Sequence, residues 1–133
     1  MKRIEDKTVN DLMTHGVVTV PESRKVIDVI RILREGHIHG VMIVNNEGKA
    51  VGVISEIDLP KAFGRDLNDV TAKEIMSSPV KTVGIDEKIV DVTKTMIAKN
   101  IDRLFVLYDN GFPRGVLSIT DVINEVVSSY FHE

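Results

Sequence analysis

The chain has no cysteine and no tryptophan. Without thiols, disulfides and thiolate chemistry are excluded, and a reducing compartment is the natural fit. Aromatic residues fill only 5% of the 133 positions, too few for a stacking platform along single-stranded nucleic acid. Positive charge is not in excess either: 17 Lys and Arg against 20 Asp and Glu leave a net charge of −3. Both signs are scattered, so no basic stripe is offered to a phosphate backbone, and nucleic acid is not an expected partner. No run approaches the ~18 apolar residues of a membrane span. The opening residues 1–7 lack the apolar stretch of a secretion signal. Enzyme chemistry has no visible carrier: there is no glycine-rich phosphate loop, no clustered metal ligands and no His–carboxylate–nucleophile set. His37-x-His39 lacks a third ligand of matching spacing, and His15 and His132 carry no signal. A cytoplasmic, non-catalytic protein that does not enter membranes is the expectation.

What is present is a sequence given twice. Residues 8–59 and 71–122 align without a gap at a constant offset of 63, with about 14 of 52 positions identical. A repeat of this length fixes the architecture first, since one copy is too small to bury a core alone. The 43% hydrophobic content, dominated by Val, Ile and Leu, suits an α/β protein.

Each copy opens with a Thr followed three residues later by an acid, Thr8 to Asp11 and Thr71 to Glu74, which predicts a short capped helix. Residues 17–20 and 80–83, rich in branched side chains, read as brief strands. Ser23 and Asp86 are the expected N-caps of longer helices. Val26, Ile27, Ile30 and Leu33 recur there at helical spacing, as do Ile89, Val90, Thr93 and Met96. Gly36 is the expected left-handed stop of the first, and Lys99-Asn100 of the second. Strands 41–44 and 51–54, and 104–107 and 115–117, flank Asn/Asp-rich turns ending in Gly48 and Gly111, a hairpin signal. A helix follows each, short in copy one around Pro60 and longer in copy two through Phe131. The expected unit is α-β-α-β-β-α, with residues 8–63 as domain one, 64–70 as linker and 71–131 as domain two.

The endings Gly52-Val53-Ile54-Ser55-x-x-Asp58 and Gly115-Val116-Leu117-Ser118-x-x-Asp121, with this doubled order of elements, resemble a CBS domain pair, or Bateman module. The resemblance spans residues 8–131. It implies an α/β fold of the α+β kind, two copies about a pseudo-twofold axis with small sheets face to face, and two clefts between them. Many members bind adenosine-containing ligands and regulate attached or partner proteins without being catalysts. The resemblance therefore implies no obligatory cofactor, AMP, ADP or ATP (or a related adenosyl compound) as regulatory ligand, and an unidentified regulated partner protein.

Carried over residue by residue, the resemblance places Ser55 and Asp58 with Thr82, Val83, Asp102 and Arg103 in a first cleft. It places Ser118, Thr120 and Asp121 with Thr19, Val20, His39 and Gly40 in a second. A carboxylate suits ribose hydroxyls, Ser and Thr hydroxyls suit phosphate oxygens, and Arg103 suits phosphate. The copies differ there: Gly40 aligns with Arg103, and Ile57 with Thr120, so the second cleft is favoured for ribose and Arg103 favours phosphate in the first. Ser-x-x-Asp is equally a helix cap, and that reading stands beside the binding one. A docking module with vestigial clefts is the alternative function. Finally, Val122, Ile123, Val126, Val127, Tyr130 and Phe131 cover more than one helix face, which predicts an apolar surface and a homodimer through such helices.

Overall fold

A computed structural model describes residues 3–131. In chain order the helices are α1 (Val9–Leu12), α2 (Val26–Gly36), α3 (Ala72–Ile75), α4 (Ile89–Lys99) and α5 (Ile119–Phe131). The strands are β1 (Thr14–His15), β2 (Thr19–Pro21), β3 (Gly40–Val44), β4 (Ala50–Ser55), β5 (Arg103–Leu107) and β6 (Pro113–Ser118). Two 3₁₀ segments, Ile4–Asp6 and Glu56–Ala62, complete the mixed α/β set.

The predicted boxes form. Thr8 and Thr71 donate their backbone N–H to Asp11 (2.9 Å) and Glu74 (2.8 Å), capping α1 and α3. The hairpin turns also form, with Gly48 and Gly111 at φ +84° and +88°, where a Cβ would be strained. Two local expectations fail. The N-caps of α2 and α4 are Lys25 and Lys88, not Ser23 and Asp86. The left-handed residue that ends α2 is His37 (φ 51°), with Gly36 still in the helix, whereas α4 ends at Asn100 (φ 54°) as expected. The buried stripes run Val26, Val29, Leu33 and Ile89, Val92, Met96, so Ile27, Ile30, Val90 and Thr93 flank the core contact instead of centring it.

The compact units are not the contiguous repeats. One unit comprises the chain up to Gly16, Lys81–Leu107 and the chain from Arg114; the other comprises Val17–Val80 and Tyr108–Pro113. Each copy has given its first short helix to the unit built on the other copy. In the Val17–Val80 unit, Ala72 and Lys73 donate N–H to the carbonyls of Arg24 (2.7 Å) and Glu22 (3.0 Å), and Val26 donates to Val70 (2.8 Å). The same three bonds, shifted by 63, recur in the other unit: Val9 to Glu87, Asn10 to Ile85 and Ile89 to Lys7, each 3.0 Å.

The sheets match as well. In one, β2 lies parallel to β3 and β3 antiparallel to β4, with Ser77 bridging Val53 on the far side of β4. In the other, the order is β1-β6-β5, β1 runs antiparallel to β6, and Thr82 bridges Phe105 in parallel beyond β5. Residues 80–83 thus make one bridge where their counterpart makes a strand. Each sheet has its own aliphatic core. One gathers Val20, Val26, Val41, Ile43 and Ile54 with the donated Val70, Ala72 and Ile75, and the other Ile89, Met96, Val106 and Leu117 with the donated Val9 and Met13.

Candidate functional site

The glycine that begins each Gly-x-x-Ser-x-x-Asp motif has a packing reason. A Cβ on Gly115 would lie 2.5 Å from the carbonyl oxygen of Thr14, and one on Gly52 would lie 2.5 Å from Met76 Sδ and 2.9 Å from the Ser77 carbonyl oxygen. The donated segment must approach the last strand there, and it brings Thr14 or Ser77 beside the motif.

In the Val17–Val80 unit, Ser55 ends β4 opposite Gly40 of β3. The chain then turns into the 3₁₀ segment, which sets Asp58 under Ser55. Asp58 Oδ2 accepts the Ser55 N–H (2.9 Å) and hydroxyl (3.3 Å), and Oδ1 accepts the Ser77 hydroxyl (2.6 Å) and Lys61 Nζ (2.7 Å). Only 3% of Asp58 is exposed. Burial, the largest single influence, pushes its pKa up. Hydrogen bonds from Lys61, Ser77 and the Ser55 N–H, with the Lys61 charge, outweigh burial and hold the carboxyl below its ordinary value. His39 turns outward, with Nδ1 2.8 Å from Glu56 Oε1 and both side chains exposed. Thr19 is exposed in β2, whereas Val20 is 1% exposed and fills the core, so only its backbone is open to a ligand.

The counterpart in the other unit is organised differently. Asp121 Oδ2 accepts the Ser118 N–H (3.0 Å), and the Asp121 N–H donates to Ser118 Oγ (3.1 Å). Asp121 is only half-buried, and its Oδ1 has no hydrogen-bond partner among the described residues. Thr120 is exposed. The carbonyl of Asp102 accepts the Ile119 N–H (2.9 Å), tying the entry of β5 to the start of α5, and Arg103 next to it has no ion-pair partner among the described residues. Thr82 and Val83 line a cavity of about 340 Å³ that runs along α4 past Thr95 and Lys99 to Ile101 and Leu104. Five of its nine lining residues, Lys81, Thr82, Glu87, Thr95 and Lys99, are polar or charged, and its volume lies at the low end of small-molecule sites. Ser118, Thr120, Asp121, Asp102 and Arg103 do not line it.

Two residues of the Asp58 cluster escaped the sequence reading, Lys61 and Ser77. Their signal was there: Lys61 stands three after Asp58 where copy two has Asn124, and Ser77 aligns with Thr14. Elsewhere, α5 buries Val122 and leaves Ile123, Val127, Tyr130 and Phe131 exposed, so the apolar surface exists on the helix. His132 lies outside the described residues. Among the described residues, no three His, Asp or Glu side chains gather to hold a metal, and no helix is long and apolar enough to cross a membrane.

A family model described as the CBS domain matches residues 9–65 and again 72–128. The uncharacterised protein MK0525 of Methanopyrus kandleri is 31% identical over 87% of this chain, which covers 61% of that protein. The uncharacterised protein MJ1232 of Methanocaldococcus jannaschii is 33% identical over 94% of this chain, which covers 41% of it. The chain thus spans about half the length of these curated relatives. Among solved structures, the CBS domain pair of protein MJ0100, in complex with 5′-methylthioadenosine and S-adenosyl-L-methionine, superposes with a TM-score of 0.80. It is 27% identical, and the match covers 92% of this chain and 98% of that one.

Proposed function

The chain belongs to the CBS domain family, with two copies in tandem, and from that premise we propose that it is a regulatory module that binds an adenosine-containing ligand. The observation that carries the reading is the Asp121 cluster. A half-buried carboxylate keeps one oxygen without a hydrogen-bond partner among the described residues, beside a Ser hydroxyl and the exposed Thr120. A free carboxylate oxygen can accept ribose hydroxyls, and a guanidinium can pair with phosphate. The adenosyl ligands of the MJ0100 domain pair support this choice of ligand class. The residues proposed to contact the ligand are Ser118, Thr120, Asp121, Thr82, Val83, Asp102 and Arg103 in one unit, and Ser55, Asp58, Thr19, Val20, His39 and Gly40 in the other.

AMP, ADP and ATP belong to the ligand class, as do methylthioadenosine and S-adenosylmethionine. The ligand acts by linkage. It shifts the protein between conformations only by its differential affinity for them, and a partner protein reads the shift. The exposed side chains of α5 support a homodimer through that helix, which light scattering checks as a doubled mass. Calorimetric titration with those five ligands tests the main reading. Binding that Asp121→Ala weakens at least tenfold is expected, and no binding of any of the five at millimolar concentration overturns it.

A further inference from the structure

Lys61 is a charged side chain in the Asp58 cluster that the expected ligand contacts do not use. It sits on the 3₁₀ segment Glu56–Ala62, three residues after Asp58. Its Nζ lies 2.7 Å from Asp58 Oδ1, 3.1 Å from the Ile75 carbonyl oxygen and 3.5 Å from Ser77 Oγ. An ammonium has three N–H donors, so these contacts use all of them and leave none for a phosphate. Asp58, for its part, gives Oδ2 to Ser55 and Oδ1 to Lys61 and Ser77. A pair of ribose hydroxyls needs a carboxylate with acceptor capacity to spare, and here a cation of the same chain has taken it.

We propose that Lys61 is a built-in occupant of the Asp58 half-site, a competitor that makes the protein take its adenosine ligand at Asp121 first. This rests on the ligand reading above and adds to it which half-site is open and which residue decides. The contrast between the copies supports it. Asn124 stands at the position of Lys61 and carries no charge, no hydrogen bond links it to Asp121 among the described residues, and Asp121 Oδ1 is open. The competition is reversible by construction. The Lys61 side chain is 49% exposed, so its ammonium can return to water by rotating its stem without disturbing the core. Asp58 alone is shut in.

The test places the two half-sites in opposition, using AMP and methylthioadenosine as calorimetric probes on the full chain. In an Asp121→Ala background, adding Lys61→Asn is expected to tighten binding by about tenfold or more, the size of one charge-assisted hydrogen bond no longer competed for. Adding Asp58→Ala to that double variant abolishes the gain. Conversely, Asn124→Lys in the otherwise natural chain weakens binding at Asp121 by a similar factor. Lys61→Met, which keeps the apolar stem, repeats the first arm should the Asn variant lose its cooperative thermal transition. An affinity that is unchanged or weaker after both Lys61 substitutions, while the natural chain binds in an Asp121-dependent way, overturns this inference and leaves the ligand reading standing. No binding of either probe to the natural chain or any variant at millimolar concentration removes the ligand reading, and this inference with it.

Discussion

Asp58 and Asp121 occupy the same column of the repeat and follow the same Ser, yet they live in different chemistry. Around Asp58, four donors from Ser55, Ser77 and Lys61 converge on a carboxylate that is 3% exposed. Around Asp121, the exchange among the described residues is with Ser118 alone, one bond in each direction, and the group stays half-buried. Both arrangements cap the segment that follows, so the structural role of the motif is common to the two copies. What separates them is the residue three positions on and the residue on the donated segment, Lys61 and Ser77 against Asn124 and Thr14. Duplication kept the scaffold while these neighbours drifted, and the neighbours set whether the carboxylate is a finished structural group or one with capacity left.

The largest effects should come from the position that lets the donated segment in. Gly115→Ala sets its Cβ against a backbone carbonyl, with 2.5 Å to the Thr14 oxygen, and neither strand can yield without losing pairing. We expect a loss of about 3 kcal/mol or more in denaturant unfolding. Gly52→Ala meets Met76 Sδ first, the movable part of a flexible side chain, and the Ser77 carbonyl oxygen at 2.9 Å second, so about 1–2 kcal/mol is expected. Equal losses at the two sites would show that the donated segments are held with equal stiffness and would break the comparison at its root.

Next in size is the carboxylate itself. Asp58→Asn removes the charge that Lys61 and Ser77 address in a buried setting and should cost about 1–3 kcal/mol at neutral pH. Asp121→Asn retains an acceptor for the Ser118 N–H at a half-exposed site and should cost under ~1 kcal/mol. Acidity sharpens the difference. Because the folded carboxyl of Asp58 lies below the ordinary aspartate value of 3.8, its stabilisation is fully present above that value. It is lost as the pH falls below 3.8 through the lower, folded value. The stability gap between the natural chain and Asp58→Asn should therefore narrow in urea titrations as the pH drops from 5 to 2. A gap that stays constant would mean that the Lys61 and Ser77 contacts do not hold the charge.

The order of elements, both hairpins and the two Thr boxes were legible because each depends on residues within a few positions, and the offset of 63 let one copy check the other. The α2 and α4 caps were misplaced for a long-range reason. Lys25 bridges Thr71 and Lys88 bridges Thr8, so the donated segment holds these residues extended and delays the helix past Ser23 and Asp86. Pairing across the repeat overrides the local cap preference of Ser and Asp. The exchange itself has no local signature, since α1 and α3 would have the same sequence whichever sheet they joined. At the candidate site, Ser55, Asp58, Ser118 and Asp121 stood out by motif. Ser77 did not, because it reaches Asp58 from 19 positions away. Lys61 belongs to no motif, and its part in the cluster comes only from its three partners, Asp58, Ile75 and Ser77.

The smallest effect concerns the helix ends. His37 and Asn100 share a column and a left-handed backbone, at φ 51°, ψ 40° and φ 54°, ψ 49°, and each closes its helix by donating its N–H back to the last turn. An Asn pays less strain there than a His, because its short polar side chain tolerates this region. Glycine relieves whatever strain is present, partly offset by its extra freedom in the unfolded chain. His37→Gly should accordingly stabilise by about 0.5–1 kcal/mol in urea unfolding, and Asn100→Gly by less. Both side chains are exposed, so no lost burial complicates the reading. The reverse order would mean that Asn100 carries the greater strain, and that the copy with the adjacent helical Gly36 has already relaxed its own end.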